Sequence, residues 1–180
     1  METETTQKLN SYLTFKLGEE EFAANVSKVL NILEMVKISE VPKSPAYMKG
    51  VINLRGTVLP VVDTRLKFGM TATEYTKDTC IVVMEIEMDN EIVKVGTLVD
   101  SVEAVLEIDE SSIQPPPSLG NKYKSEFITG MAKVNEKFIM LLDMVKVFSV
   151  DEINFLKENV SEEKEELALI RRIFKKKRYY

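Results

Sequence analysis

Residues 11–17, SYLTFKL, alternate polar with apolar positions, and Tyr12, Phe15 and Leu17 suit a pleated surface. Gly18 and three glutamates follow, then the apolar FAANV, so the pattern predicts strand, turn, strand. In VSKVLNILEM (26–35), Val26, Val29, Leu30 and Leu33 fit helical spacing, while Val29, Asn31 and Leu33 fit alternation. The segment therefore reads as a short helical turn leading into a strand. Pro42 and Pro45 mark a loop. GVINLRGTVLPVVDTRLKFG (50–69) reads as a strand pair broken near Arg55 and Gly56, then one helical turn ended by Gly69. TCIVVMEIEMDNEIVKVGTLVDSV (79–102) repeats the theme around a polar turn at Asp89 and Asn90.

That repetition has a register. A shift of 73 carries Val26, Val29, Ile32, Leu33, Glu34 and Pro42 onto Val99, Val102, Val105, Leu106, Glu107 and Pro115. A shift of 80 carries Gly50, Asp63 and Phe68 onto Gly130, Asp143 and Phe148. The difference is extra loop between Pro115 and Gly130, where QPPPSLGNKYKS sits. Two halves of about 60–70 residues thus share one order: hairpin, V-x-x-V-x-x-[IV]-L-E, Pro loop, Gly, strand pair, Asp. Regularly spaced short strands point to small barrels or sandwiches. Each half alone is close to the size below which a core fails, so the halves should pack on each other and leave a seam.

Composition narrows the function classes. The chain has 180 residues, 44% hydrophobic and 29% charged, as in ordinary globular proteins. A net charge of −5 argues against a nucleic-acid surface. Cys80 is the sole cysteine, so no intrachain disulfide is possible and a reducing compartment fits. The polar start METETTQKLN has no apolar segment of a secretory signal, and no run approaches the roughly 20 apolar residues that span a bilayer. The expectation is a cytoplasmic protein. The chain has no histidine, which removes the commonest general base and metal ligand.

No catalytic set, metal site or cofactor motif emerges. Asp63 and Asp143 would make an acid–base pair only if they met in space; alternatively each caps the helical turn that follows it. Cys80, with no histidine to activate it, reads as packing in an interior strand. DESS (109–112) reads as a charged turn, and Asp100 as a cap or turn residue. Val29, Ile32, Val36, Val102 and Val105 recur near the expected seam. They are core, or else an apolar patch that a partner helix covers.

The stretch from 149 differs in composition. Ser149 with Glu152 forms a possible capping box, and a second helix would start at Ser161 and run through Leu167, Ile170 and Phe174. RRIFKKKRYY adds six positive charges at its end. That end reads as a solvated helix terminus, or as an electrostatic contact with an acidic partner or lipid.

YLTFKLGEEEFAANVSKVLNILE, EVPKSPAYMKGVINLRGTVLPVVDTRLKFG, GTLVDSVEAVLEIDESSIQPPP and FITGMAKVNEKFIMLLDMVKVF together resemble the bacterial chemotaxis coupling protein (CheW) family, from about residue 12 to 148. The most specific part is G-V-I-N-L-R-G-x-[VI]-x-P-V-[VIL]-[DN]. The resemblance implies an all-β fold of two five-stranded SH3-like barrels over residues 11–150, with subdomains at about 11–70 and 78–148 and a helical, basic-ended tail at 151–180. It also implies a non-catalytic adaptor without cofactors, found in the cytoplasm at membrane receptor arrays. Its partners would be the cytoplasmic tip of methyl-accepting chemoreceptors and the regulatory domain of the histidine kinase CheA. The membrane would be reached only through the receptors, and nucleic acid is not a partner.

Leu13, Val26, Val29, Ile32, Val99 and Val105 match groove positions of that family, where a receptor helix would lie between the barrels. Arg55, with Gly50 and Asn53 beside it, matches a motif region sensitive for function. The kinase-binding residues stay unassigned. Some members carry glutamate where this chain has Asn31. Arg55 is expected at the bend between two strands, either paired with a carboxylate or with its guanidinium held for a partner; the resemblance favours the second. The alternative reading is a small-molecule-binding barrel or enzyme with a site between the halves, which requires a deep pocket there.

Overall fold

A strand buried on both faces reads as a continuous apolar run, and CIVVMEI, TVLPVV and FIMLL are such runs. The computed structural model accounts for them. It describes residues 9–116 and 125–148 and, in the tail, residues 151, 152, 154, 155, 158, 165, 168–173 and 175. The expected caps at Ser149 and Ser161 lie outside the described residues, as does most of the loop inserted after Pro115.

The first hairpin is β1 (Leu9–Leu17) and β2 (Glu20–Asn25). A 3-10 turn, Val26–Lys28, capped by the Asn25 side chain, leads into β3 (Val29–Glu34), as the mixed periodicity predicts. Then come β4 (Met48–Leu54), β5 (Thr57–Asp63) and the single-turn helix α1 (Thr64–Lys67). The second half runs β6 (Cys80–Met88), β7 (Glu91–Val99), β8 (Ser101–Asp109), β9 (Ile113–Gln114), β10 (Ile128–Val134), β11 (Lys137–Leu142) and α2 (Met144–Val147). Both aspartates cap: Asp63 accepts from the Leu66 N–H, and Asp143 from the N–H groups of Val145 and Lys146.

Each sheet draws on both sequence halves. One has the order β8-β1-β2-β11-β10-β9, the other β3-β6-β7-β5-β4. The hairpin of each half leaves its own half and joins the other through a parallel pairing: β2 beside β11 (Ala23 opposite Leu141) and β7 beside β5 (Gly96 opposite Val61). The shifts of 73 and 80 carry one pairing onto the other, so the two SH3-like barrels are related by the repeat. A boundary between 70 and 78 therefore separates two copies along the chain but does not separate the two sheets. The two-residue β9 is a sixth strand where five were expected. Its counterpart in the other barrel is a lone bridge between Ser39 and Val51.

The crossing at these bridges explains Gly50 and Gly130. A Cβ on Gly50 would lie 2.0 Å from the Ser39 carbonyl oxygen, and one on Gly130 would lie 2.4 Å from Ile113 Cγ2. The strand pair also shifts register next to each glycine.

Alternation along the strands divides the apolar side chains among three cores. Ile52, Leu59, Val61, Ile81, Val83 and Leu98 fill one barrel. Ala23, Ile108, Ala132, Ile139 and Leu141 fill the other. The opposite faces of the same strands, with Val82, Met84, Ile86, Phe22, Ala24, Met140 and Leu142, build a larger core shared by both. Phe15, Phe22, Phe68 and Phe127 cross this shared core in sequence, with ring centroids 6.2, 5.6 and 5.7 Å apart. Each such side chain contributes about 1.5–3 kcal/mol by leaving water, so the barrels stabilise one another.

Candidate functional site

The outermost strands β3 and β8 are equivalent under the 73-residue shift, and each ends its sheet. They meet at Cys80. Glu34, the last residue of β3, pairs with Cys80, and the Val102 backbone near the start of β8 hydrogen-bonds to it. Burial, more than the neighbouring Asp78 charge, pushes the Cys80 thiol pKa up, which fits an unreactive packing residue.

Terminal strands have one side without a neighbour, and here three consecutive residues of each reach solvent, Leu30–Ile32 on β3 and Glu103–Val105 on β8. Ile32 on β3 is 44% exposed and Val105 on β8 is 59% exposed. Leu30 and Val36 add further exposed apolar surface beside Ile32. Val26, Val29 and Val102 are half-buried and pack on the shared core, beneath the same strands. Leu13 and Val99 are only 3% and 1% exposed and belong to the shared core itself. Leu13 pairs with Val105 across β1 and β8. Gly50 is buried at the strand crossing, where its role is to admit the Ser39 backbone. Of the nine residues expected at a receptor site, Ile32 and Val105 are thus exposed on the terminal strands, Val26 and Val29 are half-buried, and Leu13, Gly50 and Val99 are interior.

Asn53 and Arg55 lie apart from these, at the tip of the β4–β5 hairpin. Arg55 has φ 50° and Gly56 φ 83°, a two-residue turn of the kind that matches strand twist. The Asn53 side chain accepts from the Gly56 N–H at 2.8 Å and holds the turn. Arg55 is exposed and, among the described residues, forms no ion pair. The bracing carboxylate is absent there, and the guanidinium stands in solvent.

Charge on the terminal strands themselves has one sign, although Lys28 and Lys37 flank β3 in the chain and Lys16 pairs with Ser101 of β8. β3 and β8 carry Glu34, Glu103, Glu107 and Asp109 and no lysine or arginine. Leu30 and this acidic rim were not singled out from sequence. The signal for the rim was available, since neither strand holds a base.

Asp100, read as a cap or turn residue, is a junction. It accepts from the Gly18 N–H at 2.6 Å and from Arg65 Nη1 at 2.5 Å, and Arg65 Nε donates to the Thr71 carbonyl at 2.9 Å. This ties the β1–β2 turn to the segment after β5. Beside it a cleft of about 10 Å³ is lined by Asp63, Arg65, Tyr75 and Thr79 among others. That is room for about one water, far below the 300–1,000 Å³ of a small-molecule site. Among the described residues no group of three or more acidic or cysteine side chains is placed to hold a metal, and no helix is long and apolar enough to cross a membrane.

A family model described as the CheW-like domain matches residues 11–152. The chain is 34% identical over 140 residues to the probable chemotaxis protein CheW of Rhizobium etli, covering 78% of this chain and 88% of that protein. It is 33% identical over 151 residues to the chemotaxis protein CheW of Thermotoga maritima, covering 82% and 91%. The crystal structure of scaffolding protein TtCheW from Thermoanaerobacter tengcongensis superposes with a TM-score of 0.71 at 32% identity, covering 81% of this chain and 96% of that one.

Proposed function

The chain belongs to the CheW-like domain family and is a chemotaxis coupling adaptor; on that premise we propose that it joins the cytoplasmic tip of chemoreceptors to the regulatory domain of the histidine kinase CheA and catalyses nothing itself. On this reading residues 11–150 are the adaptor domain and the stretch from 151 is an appended tail, helical at its described residues. The protein works in the cytoplasm, at the membrane only through the receptors.

The observation that carries this reading is the pair of equivalent terminal strands with exposed Ile32 and Val105. Exposed apolar side chains on a protein surface mark a partner site, and two strands that end their sheets and meet at Cys80 suit a helix laid beside them. Leu13, Val99 and Gly50 set the shape of that floor from within. Val26 and Val29 border it, and Arg55 with Asn53 offers a separate polar contact on the hairpin tip. Arginine suits this role because its fork of donors matches carboxylates and carbonyls.

The test is binding of a chemoreceptor cytoplasmic fragment to the wild type, Val29→Asp and Arg55→Glu, with circular dichroism to confirm the fold. Both substitutions should weaken capture tenfold or more. A folded Val29→Asp protein that binds normally would remove the terminal-strand site.

A further inference from the structure

Residues 165, 168–173 and 175 of the tail are helical, and every one of them is exposed. Leu169, Ile170 and Ile173 are 57%, 41% and 48% exposed. At about 100° per helical residue, these three fall within one arc of about 100°, and Arg171, Arg172 and Lys175 fall within another on the opposite side. Six of the eight residues 171–178 are lysine or arginine. An apolar face of this kind is stable in water only at a cost, and it fits a surface that is apolar with acidic flanks.

The chain carries such a surface. β3 and β8 present Leu30, Ile32 and Val105 beside Glu34, Glu103 and Glu107, with no base on either strand. We propose that the tail helix is an internal competitor: it docks with Leu169, Ile170 and Ile173 on the β3–β8 face and with its bases against the acidic rim, and a receptor helix must displace it. The inference rests on the reading of that face as the receptor site. The tail is tethered close by, because Phe155 packs on the shared core and Glu152 pairs with Lys67. Six residues of chain, the number between 158 and 165, can span at most about 20 Å, and the described helical residues from 165 to 175 add about 15 Å, against a radius of gyration near 14 Å for a domain of this size. Three apolar side chains fall well short of a standard interface of about 800 Å² per partner, so the contact is weak and depends on tethering for its occupancy.

Paramagnetic NMR on the full chain tests this. A nitroxide on Ala168→Cys, in a Cys80→Ser background, should broaden the methyl signals of Leu30, Ile32 and Val105 at low salt. The signals should recover near 1 M salt, where the screening length falls to about 3 Å, and in the triple variant Arg171→Glu, Arg172→Glu, Lys175→Glu. Unbroadened signals at low salt overturn the proposal. So does broadening seen only between an enriched chain and a separate spin-labelled chain, since that assigns the helix to a second copy. A second measurement needs no cysteine. If the tail covers the face nine-tenths of the time, the triple variant binds a receptor fragment about tenfold more tightly; unchanged affinity overturns the proposal. Receptor binding that Val105→Asp abolishes, with no tail effect, sinks this inference and leaves the adaptor reading intact.

Discussion

Arg55 and Asn135 occupy the same place in the two halves, 80 residues apart, each the first residue of a two-residue turn, with φ of 50° and 49°. Asparagine suits that left-handed conformation; arginine does not, at about 1 kcal/mol or more. At that first position one barrel thus carries the residue the turn prefers and the other a residue it penalises, while at the second position the order reverses, with Gly56 in the Arg55 turn and Glu136 at φ 67° in the other. Local preference that fails at an exposed position points to a use for the side chain. Arg55→Asn should raise the unfolding free energy by about 0.5–1 kcal/mol, read as a higher urea midpoint, while weakening a partner complex. A variant that is both no more stable and fully competent to bind would contradict this.

On the proposed reading, burial should separate binding residues from supporting ones. Val105→Asp changes a side chain that is 59% exposed and should alter stability by less than about 0.5 kcal/mol while impairing receptor binding. Leu13→Ala empties a site in the shared core and should cost about 2–5 kcal/mol. Chemical denaturation and receptor capture, run on both variants, check the contrast.

The two crossing glycines should respond unequally. In Gly50→Ala the new methyl meets the Ser39 carbonyl at 2.0 Å with φ at 144°, a backbone collision. In Gly130→Ala the nearest atom is Ile113 Cγ2 at 2.4 Å, a side chain that can turn aside. Thermal denaturation should show both variants destabilised by more than about 1 kcal/mol, Gly50→Ala the more severely.

Much of this architecture is legible from the sequence because short-range chemistry writes it. Gly18, Asp89–Asn90 and Arg55–Gly56 mark hairpins, Asp63 and Asp143 mark caps, and the 73- and 80-residue shifts disclose the duplication. The exchange of hairpins between barrels is not legible in this way. It depends on the parallel pairings of Ala23 with Leu141 and Val61 with Gly96, and nothing in a strand's own pattern selects a partner so far along the chain. The same holds at the site. Leu13, Val99, Ile32 and Val105 are equally apolar in sequence, and only the position of β3 and β8 at the sheet ends exposes the last two.

The root of the tail should show a pH signature. Burial, then the charge and hydrogen bond of Glu152, push the Tyr47 hydroxyl up to about 12. A raised pKa means that the neutral form is favoured in the folded state. The stabilisation is complete below pH 10 and lost as the pH rises through about 12. The tyrosinate absorbance difference between wild type and Tyr47→Phe should therefore titrate late, and earlier in Glu152→Gln. A midpoint near the ordinary tyrosine value would dissociate Glu152 from Tyr47.

The adaptor claim is tested most directly by co-sedimentation of a receptor cytoplasmic fragment with the kinase regulatory domain, in the presence and absence of this chain. The expected result is that the kinase domain pellets with the receptor fragment only when the chain is present, and that Val105→Asp abolishes this while the variant stays folded. A kinase domain that remains in the supernatant with the wild-type chain bound to neither component would contradict the account.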